Sequence, residues 1–73
     1  MKEKTRTKLK KRDIQIINYV ARGYQDKEIA EKTELSYSSI RRIINEINLI
    51  TGTVNRAHLV FWAFKEKIIK ISD

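Results

Sequence analysis

The chain has 73 residues and a mass of 8.7 kDa, enough for one small domain and too few for two. Charged residues make up 34% of it and hydrophobic residues 41%, a globular balance that argues against disorder. Cysteine is absent and histidine occurs once, which excludes disulfides and thiolate metal sites, and no carboxylate spacing suggests calcium. No metal and no cofactor is therefore expected.

A domain of this size buries only about 60% of the surface its unfolded chain exposes, so a lone core is marginal. With no disulfide to help, oligomerisation is the remaining route to stability. No apolar run approaches the roughly 20 residues of a membrane span, and no signal-peptide pattern opens the chain. These absences predict a cytoplasmic protein with no membrane partner.

The net charge is +7 and unevenly placed. Residues 1–12 hold seven bases (Lys2, Lys4, Arg6, Lys8, Lys10, Lys11, Arg12) against Glu3 alone; the rest of the chain holds nine bases against eight acids. Residues 1–8 are read as a flexible basic arm and residues 9–71 as the single domain. Such a run suits either an arm drawn to phosphate or a solvated tail.

Proline is absent, and the two glycines, Gly23 and Gly52, punctuate long stretches of helical spacing. An all-α domain of four helices follows. The first is predicted over 10–22, with Ile16, Ile17, Val20 and Ala21 on one face and Gly23 at its C-terminal cap. A short second helix is predicted over 26–33, capped by Asp26, with Ile29 and Ala30 facing inward. After a turn at Glu34 and Leu35, Ser36 caps a third helix over 37–51. Its Ile40, Ile43, Ile44 and Ile47 follow the i, i+3, i+4, i+7 pattern of a buried stripe. Asn55 caps a fourth helix over 56–71.

A short helix, a tight turn and a longer helix form the layout of a helix-turn-helix. Small Ala30 allows the two helices to cross closely, and Leu35 points in from the turn. The third helix turns Ser38, Arg41, Arg42 and Asn45 outward, a donor-rich face on which no acid is placed. Arginine binds guanine O6 and N7 bidentately, and asparagine does the same with adenine N6 and N7. Tyr37, at the start of this helix, is placed to touch a phosphate or a thymine methyl.

The segments Leu9-Lys10-Lys11-Arg12-Asp13, Ala21-Arg22-Gly23, Asp26-Lys27-Glu28-Ile29-Ala30, Ser39-Ile40-Arg41 and Asn55-Arg56, with Ile47 and Gly52 between them, fall in a recognisable order. Over about residues 9–69 the chain resembles the LuxR/GerE-type helix-turn-helix family. The resemblance implies a four-helix DNA-binding domain of a transcription regulator that dimerises through its last helix. It maps base contacts onto Arg41, Arg42 and Asn45, and phosphate contacts onto Lys27, Ser36, Ser38 and Ser39. The chain departs from the family pattern at several points. Lys10 stands where a capping Thr is usual, leaving Thr7 or no residue as the cap. Thr33 and Thr51 replace core leucines, Ile43 replaces a His, and Ile50 replaces a base near the DNA backbone. Glu34 lies in a turn where Gly, Asn or Phe is common. Only eight residues precede the module, which predicts a stand-alone regulator, bacterial or phage-type and nucleoid-associated, controlled by its own abundance.

Helix four carries two apolar stripes at about 100° per residue. Ala57, Val60, Phe61, Phe64, Ile68 and Ile71 form one, which is assigned to the core. Leu59, Trp62, Ala63 and Ile69, extended by Glu66, form the other and are assigned to a homodimer interface. The expected partners are a second copy and double-stranded DNA with an inverted-repeat site, with RNA polymerase or a larger related regulator as further candidates. The competing reading is a small antagonist that pairs with a larger relative through helix 56–71. Non-specific DNA packing driven by the arm is a third. No catalytic residue is expected. His58 lies in the first turn of helix four with no nucleophile motif to serve, and Trp62, Phe61 and Phe64 are read as packing residues.

Overall fold

The computed structural model describes residues 8–69, so the basic arm up to Thr7 and residues 70–71 of the predicted last helix lie outside the described residues. Among the described residues four helices follow in chain order: α1 (Lys11–Ala21), α2 (Asp26–Thr33), α3 (Tyr37–Thr51) and α4 (Arg56–Lys65). The all-α reading and the bounds of α2 and α3 agree with the sequence pattern. The core gathers one face of each helix: Ile16, Ile17 and Val20 from α1, Ile29 and Ala30 from α2, the four isoleucines of α3, and Leu59 and Ala63 from α4. Helices α2 and α3 pack on each other, and α1 lies against both α3 and α4.

The starts of the helices are set by side chains that accept from free backbone N–H groups. Ser36 Oγ accepts from Ser39 N–H at 3.1 Å, and Asn55 Oδ1 accepts from His58 N–H at 2.8 Å, as their positions predicted. The other two starts are capped from inside. Lys10 occupies the cap position of α1 without a side-chain bond, and its N–H donates to the Asp13 carboxylate at 3.0 Å. Arg12 donates to the same buried carboxylate at 3.2 Å. Gln25, not Asp26, is the cap residue of α2, and its N–H donates to Glu28 Oε1 at 2.8 Å. Asp26 is the first helical residue, which leaves its carboxylate free for the partners described below.

Each helix is followed by a residue in the left-handed region: Gly23 (φ 89°), Glu34 (φ 62°), Gly52 (φ 74°) and Lys67 (φ 61°). Beyond each such residue the chain turns back on its helix: the N–H of Tyr24, Leu35, Thr53 and Ile68 donates to the carbonyl of Tyr19, Ala30, Asn48 and Ala63 in turn. Glu34 is thus a helix-terminating position that favours glycine. Glu34→Gly relieves that strain at some cost in chain entropy, for an expected net gain of about 0.5–1 kcal/mol. Thermal unfolding followed by circular dichroism should show a rise of roughly 2–8 °C. An unchanged or lower midpoint contradicts the strain argument.

The threonines that replace core leucines satisfy their hydroxyls locally. Thr33 Oγ1 donates to Ile29 O at 2.7 Å. Thr51 Oγ1 donates to Ile47 O at 2.9 Å and lies 2.8 Å from the Thr53 hydroxyl, which in turn donates to Asn48 Oδ1 at 2.7 Å. A hydroxyl cluster therefore closes the C-terminal end of α3. Ile43, in the position of the family's His, is core.

Helix α4 corrects the sequence reading twice. It ends at Lys65, where the spacing had carried it to residue 71, because the left-handed Lys67 reverses the chain and brings Ile69 back into the core. It is also rotated the other way. Leu59 and Ala63 are fully buried, Ile69 and Glu66 are buried, and Trp62 is half-buried against the core. The stripe assigned to a dimer interface is therefore the one that packs inside the chain. Phe61 and Phe64, assigned to the core, stand 64% and 52% exposed. Two opposite apolar stripes leave the rotation undecided in sequence. Close packing on α1 favours the face carrying small Ala63 over the face carrying two phenylalanines.

Candidate nucleic-acid interface

Helix α3 is held by its buried isoleucines, and the same rotation leaves Ser38, Arg41, Arg42 and Asn45 exposed. Leu49, 82% exposed, continues that face one turn beyond Asn45. Lys27 on α2, with Ser36 and Tyr37 at the start of α3, is exposed as well, and Ser39 is half-buried. Lys27 and Tyr37 line one shallow cleft together with Gln25, Asp26 and Arg56. Residues predicted for base and backbone contact thus lie side by side across the α2–α3 junction. The serines form a local cluster in which Ser36 Oγ donates to Ser39 Oγ at 2.9 Å and lies 3.3 Å from Ser38 Oγ.

The face is not free of acids, which corrects the sequence reading. Arg42 pairs with Glu46 one turn on at 3.6 Å, and both side chains are more than half exposed. Such a pair contributes only about 0.3–0.5 kcal/mol and exchanges readily for an external anion. Arg41 Nε lies 3.9 Å from Asp26 Oδ2, and its Nη1 donates to the Tyr37 hydroxyl at 3.2 Å. Its guanidinium carbon sits 5.9 Å from the centre of the Tyr37 ring. The hydrogen bond to Tyr37, then electrostatic attraction from Tyr37 and Asp26, raise the Arg41 pKa above its already high ordinary value, so it stays cationic. Asp26 also accepts from Arg56 Nη1 at 2.8 Å, while Arg56 Nη2 donates to Tyr24 O at 2.7 Å.

Sequence reasoning missed Asp26, Glu46 and Arg56 in these roles. The Arg42–Glu46 pair was readable from its i, i+4 spacing. The Asp26–Arg56 pair joins residues 30 apart, and no local signal announces it.

His58 Nδ1 accepts from Val54 N–H at 3.2 Å, the local helix-end role expected of it. Among the described residues no cluster of His, Asp and Glu could hold a metal ion, and no helix is long and apolar enough to cross a membrane.

Among the described residues, four helices, a tight α2–α3 turn and a second helix with its polar arginine-bearing face outward form the layout of a helix-turn-helix domain, in keeping with the LuxR/GerE-type resemblance of the sequence. Over 62 residues the chain is 34% identical to the oxygen regulatory protein NreC of Staphylococcus aureus, with the same values for strains JH9, USA300 and NCTC 8325. The match covers 85% of this chain and 29% of NreC, so the chain spans under a third of the length of these relatives. No family model matches the chain, and no solved structure matches it.

Proposed function

We propose that the chain binds double-stranded DNA in a sequence-specific manner as a homodimeric transcription regulator, with α3 in the major groove. Arg41, Arg42 and Asn45 read base edges, while Lys27, Ser36, Tyr37, Ser38 and Ser39 hold the phosphates. The observation that carries this reading is the exposed face of α3, which turns two arginines and an asparagine to solvent beside Lys27 and the serine-capped helix start. Residues 1–8 add sequence-independent attraction through their charge.

The homodimer uses the face that the structure leaves open. Val54, Ala57, Phe61 and Phe64 fall on one side of α4 and its lead-in, and all four are exposed. The four residues carry no charge, with Lys65 only at the edge of the stripe, so its centre matches a copy of itself across a two-fold axis. Two copies joined there present two reading helices, and the site is an inverted repeat.

Binding measurements on sites selected from random DNA test the reading assignments. Arg41→Ala and Arg42→Ala should each weaken the selected site on the order of 10- to 100-fold and relax preference at one defined base pair. Lys27→Ala should weaken all sequences about equally and reduce the salt slope by about one phosphate contact. Arginine variants that keep the wild-type affinity and preference would remove α3 as the reader.

A further inference from the structure

We infer that Asp26 is a positioning residue for Arg41: it fixes the reading arginine in the DNA-free protein and so makes the base pair under Arg41 the most sharply discriminated in the site. The inference rests on the reading role of α3 proposed above.

Asp26 begins α2, where a carboxylate is favoured by the helix N-terminus, and its side chain is only 17% exposed. Each of its oxygens faces a different helix. Oδ1 takes the Arg56 hydrogen bond from α4, and Oδ2 faces Arg41 Nε on α3. Arg56 is tied by its other nitrogen to Tyr24 O in the α1–α2 loop, so the carboxylate cannot follow Arg41 without breaking one of these two short bonds. Asp26 is therefore a fixed anionic point between three elements.

The consequence for Arg41 lies in which of its donors remain available. A guanidinium has five N–H donors. The Nε side is turned to Asp26, and one Nη1 hydrogen goes to the Tyr37 hydroxyl, with the plane lying near the Tyr37 ring. The donors left over are on Nη1 and Nη2, the pair that an end-on contact with guanine O6 and N7 uses. Arg41 thus meets DNA with its long side chain already restricted, and less ordering is lost when it binds. Both arginines are more than half exposed, and the contrast lies in their partners: Arg41 meets a carboxylate only 17% exposed and a tyrosine hydroxyl, and Arg42 has neither. Its partner Glu46 is exposed and on the same helix, so its orientation is set only on contact. Arg56 serves a second purpose here, since it neutralises a carboxylate that would otherwise repel the phosphates next to Lys27.

The test is a position-by-position affinity profile on the selected site, with every single-base change, for wild type, Arg41→Ala, Asp26→Asn and Tyr37→Phe. Arg41→Ala identifies the base pair concerned. Asp26→Asn should lower discrimination at that pair by roughly 3- to 10-fold, leave the other positions unchanged, and leave binding to unrelated DNA equal or tighter because an anion has gone. Tyr37→Phe removes the hydroxyl that accepts from Arg41, keeps the fold, and should lower discrimination at the same pair in addition to any even loss of affinity from its phosphate contact. The Arg41 Nε–H resonance of the free protein should shift in Asp26→Asn, which reports the frame without DNA. A profile unchanged at the Arg41 pair in both variants, or lowered evenly at all positions, overturns the assignment of Asp26 alone. A wild-type chain without sequence preference overturns the reading role itself, and this inference with it.

Discussion

Leu59→Ala is expected to cost the folded chain about 2–5 kcal/mol, the largest single effect on stability that the structure predicts for α4. Leu59 is fully buried and packs with the α1 isoleucines in one core, so the substitution removes buried methyl groups and leaves a cavity. A domain of this length has only about 4–11 kcal/mol of stability, at roughly 0.05–0.15 kcal/mol per residue. The variant should therefore unfold at a much lower denaturant concentration with an unchanged slope, or fail to fold at 37 °C. Phe61→Ala, two residues along but exposed, should stay within about 0.5 kcal/mol of wild type in dilute protein. Had Leu59 lain on the dimer face, the ranking would be reversed. A Leu59→Ala chain as stable as wild type would falsify the observed rotation of α4.

Phe61→Asp addresses the opposite face, and its expected effect is on assembly and DNA affinity. The substitution sets a charge at the uncharged centre of the stripe, and two copies would face each other across the two-fold axis. Helical content should be retained, since Phe61 contributes little to the core. Sedimentation should then show a monomer under conditions where wild type is expected to sediment as a dimer. Affinity for an inverted repeat should fall by about 10²–10⁴, because the second half-site is no longer tethered to the first, while binding to a single half-site should be unchanged. Equal affinity of variant and wild type for the inverted repeat, or a wild type that sediments as a monomer at high micromolar concentration, would remove the homodimer.

The helices and their starts were legible because their signals are local. The isoleucine stripe of α3, the caps Ser36 and Asn55, and the stop at Gly52 all act within a few residues of where they stand. The exposed set Ser38, Arg41, Arg42 and Asn45 followed from the same stripe, since a helix with one buried face has one outward face. Glu34 and Lys67 were not legible as helix ends. Both adopt a left-handed conformation that their residue types do not advertise, and tertiary packing of Leu35 and of Ile68 and Ile69 holds them there.

By itself, then, the sequence determined four helical segments, a helix-turn-helix layout and a third helix with its polar face outward, because periodicity and capping are properties of short stretches. The tertiary structure alone decided three things. It chose which apolar stripe of α4 goes inward, a choice between two near-equal faces settled by how closely Leu59 and Ala63 can approach α1. It cut α4 short through a reversal at Lys67 that brings Ile69 back to the core. And it joined Asp26 to Arg56 and Arg41, because a charge pair across 30 residues exists only once the helices that carry it are packed.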